Sequence, residues 1–359
     1  MNRRDLLKAA GAVPLAALVT NRAFALEGPE LYPGENTLYA AAQKEGLVVS
    51  FDTGPEWANW KSLFRDFKKR YPEVEITYND IGSAATVVAL DKSRRRPQAD
   101  TAYYFAASAV DAVKKDVVAP FKPVNFDKLP PVFKDPEGRW FTIHTLNIAF
   151  LVNKKLVKNV PTSWADLLKP EYKSSVVYLD PRSTGVGQVL VFAAAYANGG
   201  STDNVKPGTD YLGQLHASGN VLRVEGTTPY AKFLKGEIPI WISYENDGLK
   251  AKYADGMGDA AEVVIPKEAS VAAPYGISLV KNGPNPNAGK LWLNFIMSEA
   301  GQSLFAQGYV RPAVPGIRLA PDVEAKMPPA PQMHPLDVIK AAGHKAEVDR
   351  LWAAATLGK

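Results

Sequence analysis

The stretch Asp180-Pro181-Arg182-Ser183-Thr184-Gly185-Val186-Gly187-Gln188 gathers the side chains best suited to hold a small charged group. An apolar strand candidate at 176–179 runs into it, and an apolar helix candidate at 189–197 leaves it. A strand that passes through a Ser/Thr/Gly turn into a helix aims free backbone N–H groups and the helix's positive end at one point. That point suits a phosphate or a carboxylate. No Lys follows Gly187, so the G-x-x-x-x-G-K-[ST] pattern of nucleotide-hydrolysing loops is absent, and the turn reads as one that holds an anion without cleaving it. A plain capped helix start, with Ser183 or Thr184 as the cap, fits the same residues and stays open at this level. Arg182 is either a further donor to the anion or a partner for Asp180.

Other candidates stand where strands are expected to end. Asp52, Glu56, Glu245 and Asp247 supply carboxylates that would pair with a cationic group, or serve as helix-start and turn residues. Thr53, Ser83, Thr145 and Asn246 offer hydroxyls and an amide at the same ends, and Tyr244 follows an apolar strand directly. Trp57 and Trp60 have the rings to stack on an aromatic solute. Trp60 shares a helical spacing with Leu63, Phe64, Phe67 and Tyr71 and is assigned to the core, whereas Trp57 stands beside the loop and is kept as a candidate. Tyr103 and Tyr104 are neighbours on a short strand. Alternation sends adjacent side chains to opposite faces, but both are kept.

Hydrolytic chemistry is poorly served. Ser183 has no Gly two residues before it to make a G-x-S-x-G elbow, and the four histidines include no H-E-x-x-H pair. The chain has no cysteine, so neither disulfides nor thiolate sites are available. No metal or cofactor is expected.

The elements that must position these residues alternate. Residues 47–51 and 74–78 read as strands, with an amphipathic helix at 57–71 between them. A helix at 86–93, a strand at 100–104 and a helix at 106–115 continue the pattern, and 120–140 is a proline-rich connection with little regular structure. Alternating β and α segments imply a mostly parallel sheet covered on both faces, with ligands bound at the carboxyl ends of its strands.

The first 25 residues read as an export signal: a basic start with Arg3-Arg4, an apolar run at 9–19 and Ala23-Phe24-Ala25 as the cleavage site, cut after Ala25. Arg3-Arg4-x-Leu-Leu-Lys resembles a twin-arginine signal, with the general secretory route as the alternative. The apolar run is too short to span a bilayer. Cleavage would leave about 334 of the 359 residues, which is large for one core, so two lobes are expected. The leader carries Arg3, Arg4, Lys8 and Arg22 against Asp5, a net +3 of the chain's +5. The remainder is near +2, which gives no reason to expect nucleic acid as a partner.

A family resemblance runs through much of the chain. Asn153-Lys154-Lys155-Leu156-Val157, then Pro161-Thr162-Ser163-Trp164-Ala165-Asp166-Leu167-Leu168, Lys169-Pro170-Glu171-Tyr172-Lys173 and the Asp-Pro-Arg-Ser-Thr-Gly turn follow one another in an order that resembles the family 1 extracellular solute-binding proteins. These are the ligand-capturing subunits of ATP-binding-cassette (ABC) importers. Phe233-Leu234-Lys235-Gly236-Glu237-Ile238-Pro239-Ile240-Trp241-Ile242-Ser243-Tyr244 and 288–302 extend the likeness, which falls in the branch of ferric-ion, thiamine, phosphonate and sugar-phosphate binders.

The resemblance implies an α/β chain in the two-lobed, type 2 periplasmic-binding-protein fold, with mostly parallel sheets and two crossover strands near 144–151 and 274–280. Lobe one would hold 30–143 and 278–315, lobe two 146–272, and the tail 316–359 would pack on lobe two. The ligand would lie in the cleft, which closes by a hinge. In thiamine and ferric-ion binders a Tyr in the position of Tyr244 contacts ligand. Ferric binders usually carry a second Tyr beside it, where this chain has Glu245, so iron becomes the alternative. The turn at 180–187 looks like that of thiamine binders, in which a small hydroxyl residue meets phosphate. A zwitterionic or phosphorylated solute is therefore expected, its anionic end at Ser183, Thr184, Gly185 and Gln188 and its other end near Thr53, Glu56, Ser83, Tyr244 and Asn246. A monomer in the periplasm, working with an ABC permease and without enzymatic activity, completes the expectation. An exported hydrolase using Ser183 is the alternative of another class.

Overall fold

The computed structural model describes Leu26 and residues 28–225, 229–330 and 333–357; the leader and its cleavage site lie outside the described residues. Lobe one opens with α1 (Glu35–Glu45), β1 (Leu47–Phe51), α2 (Trp60–Arg70), β2 (Glu75–Tyr78), α3 (Ser83–Lys92), β3 (Thr101–Phe105), α4 (Ala106–Lys114) and the short β4 (Val118–Ala119). The connection across 120–140 contains two single 3-10 turns and leads into β5 (Phe141–Asn153), which is buried along its whole length.

Lobe two follows with β6 (Val176–Leu179), α5 (Gly185–Ala197), α6 (Lys206–Ala217), β7 (Val221–Glu225), α7 (Tyr230–Leu234), β8 (Ile240–Tyr244), α8 (Glu245–Tyr253) and β9 (Ala261–Val264). The chain returns through β10 (Ser270–Val280) to α9 (Pro286–Met297), α10 (Glu299–Gln307) and β11 (Arg311–Pro312) in lobe one. The tail holds α11 (Pro321–Glu324), β12 (Met333–Pro335), α12 (Val338–Gly343) and α13 (Lys345–Thr356).

The strands run in the order β2-β1-β3-β10-β5-β8-β6-β7. Each lobe has a parallel trio, β2-β1-β3 in lobe one and β7-β6-β8 in lobe two. The two long crossing strands are antiparallel to each other and to β3 and β8, so each sheet is mixed rather than mostly parallel. β5 serves both lobes. Its first half pairs with β10 and its second half with β8 and β9. The two crossing strands pair from Ala272 with Asn147 to Ile277 with Phe141, and the register slips between Tyr275 and Gly276. That bulge re-aims a side chain where the lobes meet.

The core explains why these segments form these elements. α2 buries Trp60, Leu63, Phe67 and Tyr71 on one stripe, and that stripe meets Trp292, Phe295 and Phe305 from α9 and α10. Burial of each large ring is worth about 2–3 kcal/mol, so this face accounts for the helix despite its strongly polar outer side. The helix begins at Trp60 rather than at Trp57. Ala58 and Asn59 have left-handed φ values of 47° and 60°, which fits a turn and not a helix. α5 is apolar on every side, with Val189 to Ala195 all buried. The tail touches both lobes: α12 lies against α4, while α13 lies against α6 and α5. Trp352 Nε1 donates to the Tyr178 hydroxyl at 2.9 Å and fixes α13 to lobe two.

Candidate functional site

The carboxyl ends of β1, β3, β6 and β8 converge on the crossing strands, and a cavity of about 700 Å³ opens there between the lobes. Lobe one contributes the 55–59 loop, Lys61, Asp80 and the 307–309 turn; lobe two contributes Val186, Tyr244, Asn246, Asp247 and Lys250. Glu56, Trp57, Tyr244, Asn246 and Asp247 are thus the sequence candidates that line the opening. Trp57 is half-buried and sets its edge against Tyr275, with ring centres 5.4 Å apart at 76°.

Several other candidates have structural work behind the cavity wall. Thr53 is buried and its hydroxyl donates to the Ser50 carbonyl at 3.1 Å. Ser83 Oγ accepts the Phe105 N–H at 3.0 Å and so ties the start of α3 to the end of β3. The Tyr103 hydroxyl meets His144 Nε2 at 2.9 Å beneath Trp57. Tyr104 is corrected: strand alternation turns it to the far face, where it bonds Ser278 among the residues packed under α4. Thr145 is buried in the crossing strand and pairs through its backbone with Pro274 and Arg311.

Glu245 is also corrected. Its carboxylate, 1% exposed, faces Arg311 and not the cavity. Arg311 Nε donates to Oε1 at 2.6 Å and Nη2 to Oε2 at 3.0 Å, while Asn147 Nδ2 adds a donor at 2.7 Å. The fork-on-carboxylate geometry ties β11, beside the crossing strand β5, to the start of α8 in lobe two.

The turn at 180–188 is a capped helix start. Thr184 is the cap of α5, its Oγ1 accepting the Gly187 N–H at 3.2 Å. Ser183 is exposed and its hydroxyl reaches only the Asp180 carbonyl, at 3.4 Å; Arg182 is paired with Asp180. The N–H groups of Gly185 and Val186, at the first two positions of α5, have no acceptor among the described residues. Gln188 is half-buried on the next turn. A side chain on Gly187 would meet the Leu179 carbonyl at 2.5 Å, so the glycine is required for α5 to start against the end of β6.

Sequence reading missed Asp80, Trp241, Ser243, Lys250 and Tyr309 of the cavity lining, and Tyr275 and Arg311 behind it. Asp247, grouped there with the general carboxylates, is half-buried and accepts from Ser243 Oγ at 3.1 Å. Burial pushes its carboxyl up to about 6, against the pull of Ser243 and Lys250. Asp52 sits in a left-handed turn and accepts the Gly82 N–H at 2.6 Å. Burial, with Asp80 nearby, pushes it up to about 7 despite that bond. His144 is enclosed and held down at about 3 by burial, so it is a neutral ring in the wall. It contacts Tyr103 and not Ser183, and no Ser–His pair forms among the described residues. No group of three His, Asp or Glu side chains at metal-binding spacing occurs among them either. Within the same residues no helix is long and apolar enough to cross a membrane.

Donors at the α5 start and the tyrosines, with carboxylates at Glu56, Asp80 and Asp247, make the cleft able to hold a small solute bearing both charges. Known proteins agree with a two-lobed binder. A family model described as bacterial extracellular solute-binding protein matches residues 99–341. A putative 2-aminoethylphosphonate-binding periplasmic protein of Salmonella typhimurium (strain LT2) is 27% identical over 252 residues, covering 68% of this chain and 71% of the relative. The periplasmic binding protein AfuA of Actinobacillus pleuropneumoniae, solved with fructose-6-phosphate, superposes with a TM-score of 0.70 at 21% identity, over 87% of this chain and 99% of that one. The apo ferric ion-binding protein A of Pasteurella haemolytica superposes at 0.69 with 18% identity, over 88% and 99%. At such identities the two structures establish the type 2 periplasmic-binding-protein fold.

Proposed function

The chain belongs to the bacterial extracellular solute-binding proteins, and from that premise we propose that it is the periplasmic capture component of an ABC importer for a small organic solute carrying a phosphonate or phosphate group and a cationic group. The observation that carries this reading is the division of the cleft: free N–H groups at the start of α5 on one wall, and Glu56, Asp80 and Asp247 around the opening. A helix start with unpaired N–H groups attracts an anion, and buried or clustered carboxylates attract a cation. The relative named for 2-aminoethylphosphonate and the fold neighbour holding fructose-6-phosphate both concern ligands of this phosphorus-oxygen type.

Iron ranks lower. The position beside Tyr244 is Glu245, whose oxygen atoms are engaged by Arg311 and Asn147. A hydrolase ranks lower still, because Ser183 has no base in reach among the described residues. Partnership with an inner-membrane permease and a monomeric state belong to the same proposal.

Titration calorimetry of protein freed of bound solute tests it. The panel holds 2-aminoethylphosphonate, a hexose phosphate, thiamine phosphate, ferric citrate and a neutral hexose. Binding of a phosphonate or phosphate with a Kd of micromolar or below is expected. Saturable binding of only the neutral hexose, or only iron, would refute the reading.

A further inference from the structure

We propose that Tyr275 is a direct ligand for the solute's anionic oxygen atoms, and that with the Tyr244 hydroxyl and the N–H groups of Gly185 and Val186 it forms a seat made only of donors at the floor of the cleft. The proposal rests on the reading of the cleft as a phosphonate or phosphate site.

Tyr275 comes from β10 at the bulge beside Gly276, at the junction of the lobes. Its ring is held on three sides. It stacks on His144 with centres 5.5 Å apart at 16°, lies against Tyr103 at 5.7 Å, and receives the edge of Trp57. The ring therefore has little freedom, and its hydroxyl is aimed. The hydroxyl lies 3.4 Å from that of Tyr244 and 3.8 Å from the place where a Cβ on Gly185 would stand. Lobe one's returning strand thus presents a phenol to the first residue of lobe two's α5.

Two hydroxyls that face each other share one hydrogen and leave the other free. Both tyrosines are more than nine-tenths buried, at 8% and 7% exposed, and the remaining hydrogen has no acceptor among the described residues. A buried donor without an acceptor is costly. An incoming oxyanion removes that cost. Burial, with Asp52 and Asp247 in range, pushes the Tyr275 phenol up to about 12 against its bond to Tyr244, so it remains a donor at neutral pH.

The opposite polarity lies a short way along the wall. Asn246 Oδ1 is buried and has no donor, and the Asp247 carboxylate follows it. A zwitterion therefore enters in one orientation, its anion on the tyrosines and its cation toward Asn246 and Asp247. Gly185 is part of the seat: a methyl there would lie within 4 Å of both the Tyr275 hydroxyl and the Phe105 ring.

The test uses the cleaved protein, with 2-aminoethylphosphonate and its amine-free analogue ethylphosphonate as probes in calorimetry. Tyr275→Phe keeps the ring contacts and removes only the hydroxyl. Loss of a hydrogen bond to a charged group predicts that both probes weaken by the same ~10- to 100-fold. Gly185→Ala leaves the tyrosines intact, so it covers the case in which Tyr275→Phe does not fold, and it predicts a comparable loss. Wild-type binding of 2-aminoethylphosphonate with undiminished binding by either folded variant overturns the seat and leaves the phosphonate reading standing. A wild type that binds neither probe, and takes only amines or neutral sugars, overturns both.

Discussion

Replacing Arg311 by methionine should destabilise the protein by about 3–5 kcal/mol at pH 8, because it strands a buried carboxylate. Glu245 is 1% exposed and takes two of its three side-chain donors from Arg311. Burial raises its carboxyl, while Arg311 and then Asn147 draw it down. Without the guanidinium only Asn147 opposes burial, and the carboxyl rises further. The sign follows from linkage. A carboxyl whose folded value lies above its unfolded value costs nothing below the unfolded value, and its ionisation costs progressively more stability as pH climbs toward the folded value. The variant's deficit should therefore be small near pH 4.5 and largest at pH 8. Per-residue unfolding entropies for a chain of this size convert 3–5 kcal/mol into a fall of about 4–7 °C in Tm. Urea unfolding of both proteins at pH 5 and pH 8, followed by tryptophan fluorescence, measures it. A loss below about 1 kcal/mol at pH 8, or one that does not shrink at pH 5, would refute the argument. Glu245→Gln in the Arg311→Met background should restore most of the loss, since it removes the charge and keeps the shape.

Asp52→Asn removes a carboxyl that burial has raised to about 7, so the variant should gain Tm relative to the parent as pH rises from 5 to 8; a gap that stays constant over that range contradicts this assignment. Gly187→Ala should cost about 1–3 kcal/mol or more, because the methyl would press on the Leu179 carbonyl and the Asp180–Pro181 backbone, none of which is a flexible side chain. Thermal melts of that variant, with binding of a phosphonate probe, check it, and retention of both stability and affinity would count against the tight α5 start.

Much of the architecture is legible in the chain because it rests on local pattern. The apolar run at 176–179 is β6, and the Trp60-Leu63-Phe67 spacing marks the buried face of α2. The start of α5 is obscured because Gly185 and Gly187 have poor helix propensity. The missing side chain of Gly187 is what admits the close approach of α5 to the end of β6. The missed site residues share a different cause. Tyr275 lies inside an apolar run, and only its pairing opposite His144 and the closeness of its hydroxyl to that of Tyr244 place it at the junction of the lobes. Arg311 stands between Val310 and Pro312 with no local sign that its partner, Glu245, is 66 residues away. The same long-range pairing removed Glu245 from the solute site, while alternation along β3 separated Tyr103 from Tyr104.

The central claim is that the cleft captures a solute with an anionic phosphorus-oxygen group, and the solute that accompanies the protein from its own cells tests this most directly. The protein should be purified from those cells without unfolding, weighed by native mass spectrometry, then denatured so that the released molecule can be fragmented. One small molecule per chain, containing phosphorus and matching the mass difference between the loaded and emptied protein, is the predicted result. A phosphorus-free sugar, a polyamine or ferric iron at one per chain would contradict it.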